Sequence, residues 1–178
     1  AITTPQSVNL DLQTGIMANT VAFANVRWVD WSNFSIRPTK FGAGSNLAGQ
    51  QLTAGTYKQG FNLVDYSDDQ WSANLGLGRK LTDQLGATVS VGWDSGAGNP
   101  VSTLGPTEGY WNLGLGVRYS PTPKIDISAG LKYFWLGDAQ VQTGSHSVPG
   151  ALAASLAKAG EFSDNEAIAL GLKLGYHF

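Results

Sequence analysis

The sequence predicts an all-β protein: a transmembrane antiparallel β-barrel to which this chain contributes about seven strands. Three observations predict it. Apolar residues recur with a period of two and alternate with glycine, small polar and charged residues, the pattern of a strand with two unlike faces. The connections between these stretches run short, long, short, long, as in barrels with tight turns at one membrane face and long loops at the other. All six tryptophans stand at the long-loop ends of their strands, where an amphipathic ring is stable between hydrocarbon and water.

The last strand, 166–178, carries the pattern most plainly. Ile168, Leu170, Leu172, Leu174, Tyr176 and Phe178 share one parity, and Ala167, Ala169, Gly171, Lys173, Gly175 and His177 the other. The first strand, 7–17, sets Val8, Leu10, Leu12 and Ile16 against Asn9, Asp11, Gln13 and Gly15. A tight turn at Ala18–Thr20 leads to the second, 21–31, where Ala22, Ala24, Val26 and Trp28 oppose Asn25 and Arg27, with Phe23 and Val29 out of phase on the polar side. Positions 32–68 form a long loop rich in Gly, Ser, Thr and Gln, of a length that compact domains keep for a purpose and with room for short structure of its own.

The third and fourth strands, 70–78 and 86–94, flank the turn LTDQLG and place Leu75, Leu77, Val89 and Val91 opposite Asn74, Gly76, Ser90 and Gly92. A second long loop covers 95–109. The fifth and sixth strands, 110–119 and 125–135, are joined through SPTPK and set Leu113, Leu115, Ile127 and Leu131 against Asn112, Arg118, Asp126, Lys132 and Phe134. The third long loop, 136–163, contains PGALAASLAKAG, which reads as a helix: Ser147 suits a cap, Pro149 a first turn and Gly160 an end. The other fold with alternating strands, a water-soluble meander barrel, would turn its apolar face inward and would not sort its tryptophans to one end.

Composition agrees with a membrane setting. Charged residues make up 13% of the chain, against about 25% in ordinary soluble domains. No apolar run approaches the roughly 18 residues of a membrane helix, so spans must be strands. A net charge of -2 gives no general attraction to nucleic acid, which is not expected as a partner. Without cysteine there is no disulfide framework.

Neither enzymatic chemistry nor a cofactor is indicated. His146 and His177 belong to opposite membrane faces, so no His, Ser and Asp set converges. Asp68 with Asp69 lacks calcium-loop spacing, and two distant histidines make no zinc site. GxG pairs such as Gly76 with Gly78 are strand-face glycines, not followed by the helix a phosphate loop requires.

The strand count carries a further expectation. The last strand runs toward the tight-turn side, and counting back makes the first strand run the same way, which puts Ala1 outside. Single-chain bacterial barrels have even strand numbers and both ends inside. An open edge in hydrocarbon costs several kcal/mol for each unpaired backbone group. The expected arrangement is therefore part of a larger barrel, completed by a second polypeptide or by an amino-terminal part of the same protein. The alanine start likewise suggests a mature or cut chain.

The segments VAFANVRWVDWSNF, LTDQLGATVSVGWD, GYWNLGLGVRYSPTPKIDISAGLKYFWLGDA and FSDNEAIALGLKLGYHF together resemble the carboxy-terminal half of the FadL-type outer-membrane transporters for long-chain fatty acids and other hydrophobic compounds. The resemblance spans nearly the whole chain and rests on strand order, Trp placement, the LGDA motif and the terminal Phe. It implies a fourteen-stranded barrel, of which seven strands lie here, in the bacterial outer membrane. It also implies an amino-terminal hatch, capture of substrate from outside in apolar pockets, and lateral exit into the bilayer. The hatch and the kinked strand that provides the exit have no counterpart in this sequence, so their residues are not carried over.

Candidate binding residues fall into two groups. On the polar face, Arg27, Arg118 and Lys132, with Phe134 beside them, are the residues that would meet a carboxylate headgroup; the plainer reading is an internal network of paired charges. In the loops, Phe34, Phe41, Phe61 and Leu63 would form a capture surface for a hydrophobic small molecule, or else pack on one another. The function expected is passive outer-membrane transport of hydrophobic solutes, with membrane lipid as a further partner. A structural barrel acting as anchor or interaction surface is the alternative, and an acyl-transferring membrane enzyme stands last.

Overall fold

The computed structural model describes residues 2–102, 105, 107–142 and 158–178. In chain order its elements are β1 (Ser7–Met17), β2 (Thr20–Val29), β3 (Ser35–Ile36), α1 (Thr39–Leu52), β4 (Val64–Asp65), β5 (Gln70–Lys80), β6 (Leu85–Asp94), β7 (Val101–Ser102), β8 (Tyr110–Thr122), β9 (Ile125–Leu136), β10 (Ala139–Gln142), β11 (Lys158–Phe162) and β12 (Glu166–Tyr176). The seven long strands, ten to thirteen residues each, make one sheet ordered β1-β2-β5-β6-β8-β9-β12. Each neighbouring pair is antiparallel. Their length suits a tilted membrane strand of about 9–11 residues.

Residues directly opposed in such a ladder point to the same side, so the register fixes both faces. One row across all seven strands reads Leu12, Ala24, Leu75, Val91, Leu113, Tyr133, Ile168; the next reads Asp11, Asn25, Asn74, Gly92, Asn112, Phe134, Ala167. The apolar rows lie open: Leu75 is 58% exposed and Leu115 51%, though both strands have neighbours on either side. The buried hydrophobic residues among those described are Val29, Ala139 and Val141, all at the long-loop end. At about 25 cal/mol per Å² of apolar surface left in water, such a face is untenable in solution, and a patch of this extent calls for an apolar environment. No helix among the described residues is long and apolar enough to cross a membrane.

The tryptophans mark the long-loop end. Trp93, Trp111 and Trp135 stand side by side in one apolar row, and Trp28 opposes Trp71. The ring centroids of Trp93 and Trp111 are 6.3 Å apart, and those of Trp28 and Trp71 6.5 Å. Trp31 differs from the expectation that it closes the second strand. β2 stops at Val29, and Trp31 lies beyond it with its Nε1 donating to Gln70 Oε1 at 2.8 Å.

Phe23 and Val29, out of phase in the sequence, do point to the polar side. Val29 is buried under the loops. The Phe23 ring occupies the space beside Gly76, where any Cβ would collide with it, so the bulk of one strand fits the bareness of the next. Asn25 Nδ2 donates to Asp11 Oδ1 at 2.7 Å. At the two-residue turn between β1 and β2, Asn19 takes φ 59, a left-handed conformation that Asn tolerates.

Several limits differ from those read in the sequence. β5 continues to Lys80, and β8 to Thr122 across a register shift after Tyr119, because the ladder runs on toward the turns. β12 ends at Tyr176, leaving His177 and Phe178 outside the strand. Within the long segment 32–68 the short structure is β3, α1 and β4. Three glycines, Gly42, Gly44 and Gly49, weaken the helical signal of α1, yet two of them have a packing reason. Gly42 lies against the Arg37 side chain and Gly49 against Tyr57. The helix expected over 149–160 falls mostly outside the described residues, and its last three positions, 158–160, belong to β11.

Candidate functional site: a cavity under the loops

Two of the long connections are stitched together over the sheet. β10 pairs in parallel with β7 of the 95–109 connection and antiparallel with β11, burying Ala139 and Val141. Gly137 N donates to Gly109 O at 2.9 Å, an approach so close that a Cβ on Gly137 would strike the Glu108 carbonyl. Gly109 itself has φ 66, open to glycine but strained for other residues. These constraints fix Glu108 and bend the connection back over the strand ends.

Beneath it is a cavity of about 390 Å³. Its floor is the long-loop end of the polar face: Gln70 of β5, Asp94 of β6 and Tyr110 of β8. Its walls are Trp31 and Tyr66 on one side and Pro100, Val101 and Glu108 on the other. Trp31 is braced by Phe34 in an edge-on contact at 5.2 Å and by Tyr66 at 5.0 Å. Phe134 braces Tyr110 edge-on at 5.4 Å.

The charged side chains lining the cavity among the described residues are acids. Asp65, Asp94 and Glu108 line it, and among the described residues no Lys, Arg or His does. Asp94, 8% exposed, accepts at Oδ1 from Gln70 Nε2 at 2.8 Å and from Gly96 N at 2.9 Å. Among the described residues nothing donates to its Oδ2. Glu108 accepts from Gly98 N at 2.8 Å. Burial pushes the Glu108 carboxyl above its ordinary range, and the charges of Asp68 and Asp94 add to the rise against the backbone hydrogen bonds of Gly98 and Ala97.

By sequence, no family model matches the chain and no curated protein does either. By structure, the sheet superposes on the crystal structure of a Pseudomonas aeruginosa FadL homologue with a TM-score of 0.60 at 16% identity, covering 97% of this chain and 35% of that one. The fold is that of a FadL-type barrel. This chain thus spans about a third of the length of that FadL homologue. The CymD monoaromatic hydrocarbon channel is matched at a TM-score of 0.49 and 15% identity, over 75% of this chain and 31% of that one, below the level at which a shared fold is argued.

In this FadL-type sheet the residues singled out from sequence do not converge. Arg27 stands in the row of Ser72 and Asp94, and Lys132 lies over Gly114 nearer the middle. Arg118 is at the short-turn end, where Asp126 takes both its Nε at 3.3 Å and His177 Nε2 at 2.9 Å. Phe41 and Phe61 pack edge-on at 5.7 Å between α1 and the segment after it, and Leu63 is exposed. Phe34 and Phe134 touch the cavity only through the aromatic residues they brace. The lining residues missed were Trp31, Tyr66, Glu108 and Tyr110. One signal for Glu108 was in the sequence: it is the sole charged residue of the glycine-rich 95–109 stretch.

Proposed function

We propose that this chain is part of a bacterial outer-membrane barrel through which hydrophobic solutes, long-chain fatty acids among them, pass passively. One observation carries the proposal: the sheet presents its leucines and valines outward and keeps its glycines, amides and charges, together with a cavity, on the other face. That is the division of a barrel with lipid around it and a polar interior. A solute leaves water for the apolar and aromatic surfaces of the loops, moves to sites on the inner face, and enters the bilayer, with no energy source and no bond made or broken.

In this proposal Phe34, Phe41, Phe61 and Leu63, with the exposed Leu47 and Leu52 of α1, form the capture surface. Arg27 and Lys132 are the cations available to a carboxylate headgroup, whereas Arg118 is held by Asp126. The two sheet edges, β1 and β12, are closed by strands from an amino-terminal part or a second polypeptide.

The test is uptake of a hydrophobic tracer by cells making the complete barrel, against cells without it. Faster entry that saturates is expected, and Phe41→Ser with Phe61→Ser should slow it while the barrel still reaches the membrane. Equal entry with and without the barrel would refute the transport reading.

A further inference from the structure

We propose that Asp94 is a docking point for a basic side chain, an arginine or a lysine, carried by the part of the barrel that lies outside this chain. The inference rests on the reading of the chain as part of a larger barrel and is independent of what that barrel transports. It starts from a carboxylate with one oxygen engaged and one not. Asp94 is 8% exposed, and its Oδ1 accepts from both Gln70 Nε2 and Gly96 N, which leaves Oδ2 without a donor among the described residues. A carboxylate so deeply placed is costly unless a cation pairs with it. Its neighbours add to the cost. The Glu108 carboxyl fills the space where a Cβ on Gly96 would stand, beside the residue whose N–H Asp94 holds. Burial first, and then the charges of Asp68 and Asp94, hold that Glu108 carboxyl above its ordinary range.

No base among the described residues answers it. Arg27 shares its row but stands two strands away across Ser72, and the ion pairs among the described residues engage Lys80, Arg118 and His177 instead. Donors are scarce in the next row too, where Asn74 and Asn112 flank Gly92 and the Oδ1 of each is buried without a hydrogen bond. A group that donates and does not accept suits such a place: arginine has five N–H donors and lysine three, with no acceptor in either. Position says where it comes from. β6 is the middle strand of the seven; with strands about 4.8 Å apart, it lies roughly 14 Å from either edge, farther than one side chain extends. The strands that join at β1 and β12 therefore cannot supply the base, which has to ride on a segment lying against the inner face beneath the loops. A protein of the FadL homologue's length has chain enough for one, because this chain covers 35% of it.

The experiment uses the complete barrel purified in detergent and reads hydrogen exchange of the 95–109 backbone, which Asp94 and Glu108 hold through Gly96 N and Gly98 N. Asp94→Asn keeps an oxygen for Gln70 and Gly96 and removes the charge. It should quicken that exchange about tenfold or more, the loss expected for a hydrogen bond to a charged group. If Asp94 merely joins a crowd of acids, removing its charge relieves repulsion and exchange slows, which would overturn the proposal. Glutamine replacement of each arginine and lysine outside this chain then identifies the partner: one variant should quicken exchange to the same extent and add less than about twofold to Asp94→Asn. The proposal fails if no variant does so, or if Arg27→Gln, His146→Gln or Lys158→Gln is the one that does. It fails too if a chelator quickens the wild-type loop about tenfold and leaves Asp94→Asn unchanged, since the cation is then a metal ion. Should Asp94→Asn not assemble, the replacements decide alone: one that quickens exchange about tenfold supports the contact, and none doing so refutes it. Mass spectrometry of the purified barrel separates the two readings. With no polypeptide beyond these residues, the larger barrel itself is refuted; with one present and no coupled base, only the contact is.

Discussion

Glu108 is the residue whose chemistry is most tied to its place. Burial raises the folded-state pKa of this acid above its ordinary 4.5, so the folded protein holds the proton more tightly than the unfolded chain does. The proton therefore favours the folded loops at low pH, and that contribution is lost as pH rises from the unfolded value through the folded one. Hydrogen exchange of the 95–109 backbone should quicken across that window, and Glu108→Gln should flatten the dependence. The negative charges of Asp68 and Asp94 act on it in the same direction as burial. A second prediction concerns the fit of Phe23 beside Gly76. Gly76→Ala should cost about 1–3 kcal/mol as overpacking. Gly171→Ala, with open space around it, should stay within about 0.5 kcal/mol. Urea unfolding of the two variants in the same detergent measures the contrast.

Among the elements, the long strands were legible because each repeats one alternation often enough to fix its period and phase. Even the apparent lapses at Phe23 and Val29 were true to phase. The short elements were not legible. α1 is diluted by three glycines, two of which, Gly42 and Gly49, have their reason in contact with Arg37 and Tyr57, partners visible only after folding. β7 and β10 pair in parallel across some forty residues of chain, and no local pattern announces so distant a partner. For the same reason the cavity was not foreseen. Asp94 is in phase with Ser90 and Gly92 at the end of its strand, on the polar face, but Trp31 reads by sequence as girdle and becomes a cavity wall only because β2 stops two residues earlier. The two faces of a strand should answer differently to one substitution. Leu115→Arg on the apolar face should destabilise by about 2–4 kcal/mol, whereas Thr88→Arg, exposed on the polar face, should be tolerated. Folding into lipid vesicles against denaturant would register the difference.

For the whole molecule, the sheet order leaves β1 and β12 as its two edges. Through six antiparallel pairings these edges run in the same direction, so joining them to each other would require a parallel pair. Antiparallel closure needs an odd number of further strands between them. The chain has no cysteine, which makes the arrangement easy to probe. Leu12→Cys with Leu172→Cys, on the two edge strands, should give no cross-link within one chain under mild oxidation in the assembled barrel. A disulfide forming readily there would mean that seven strands close by themselves.

The seam made by β10 has its own consequence. Because it bonds to β7 on one side and β11 on the other, with Ala139 and Val141 sealed between, the rim of the vessel is spliced rather than fringed. A protease that nicked the connection near position 105 would leave the severed ends clasped in place, so the mouth should keep its contour after its thread is cut.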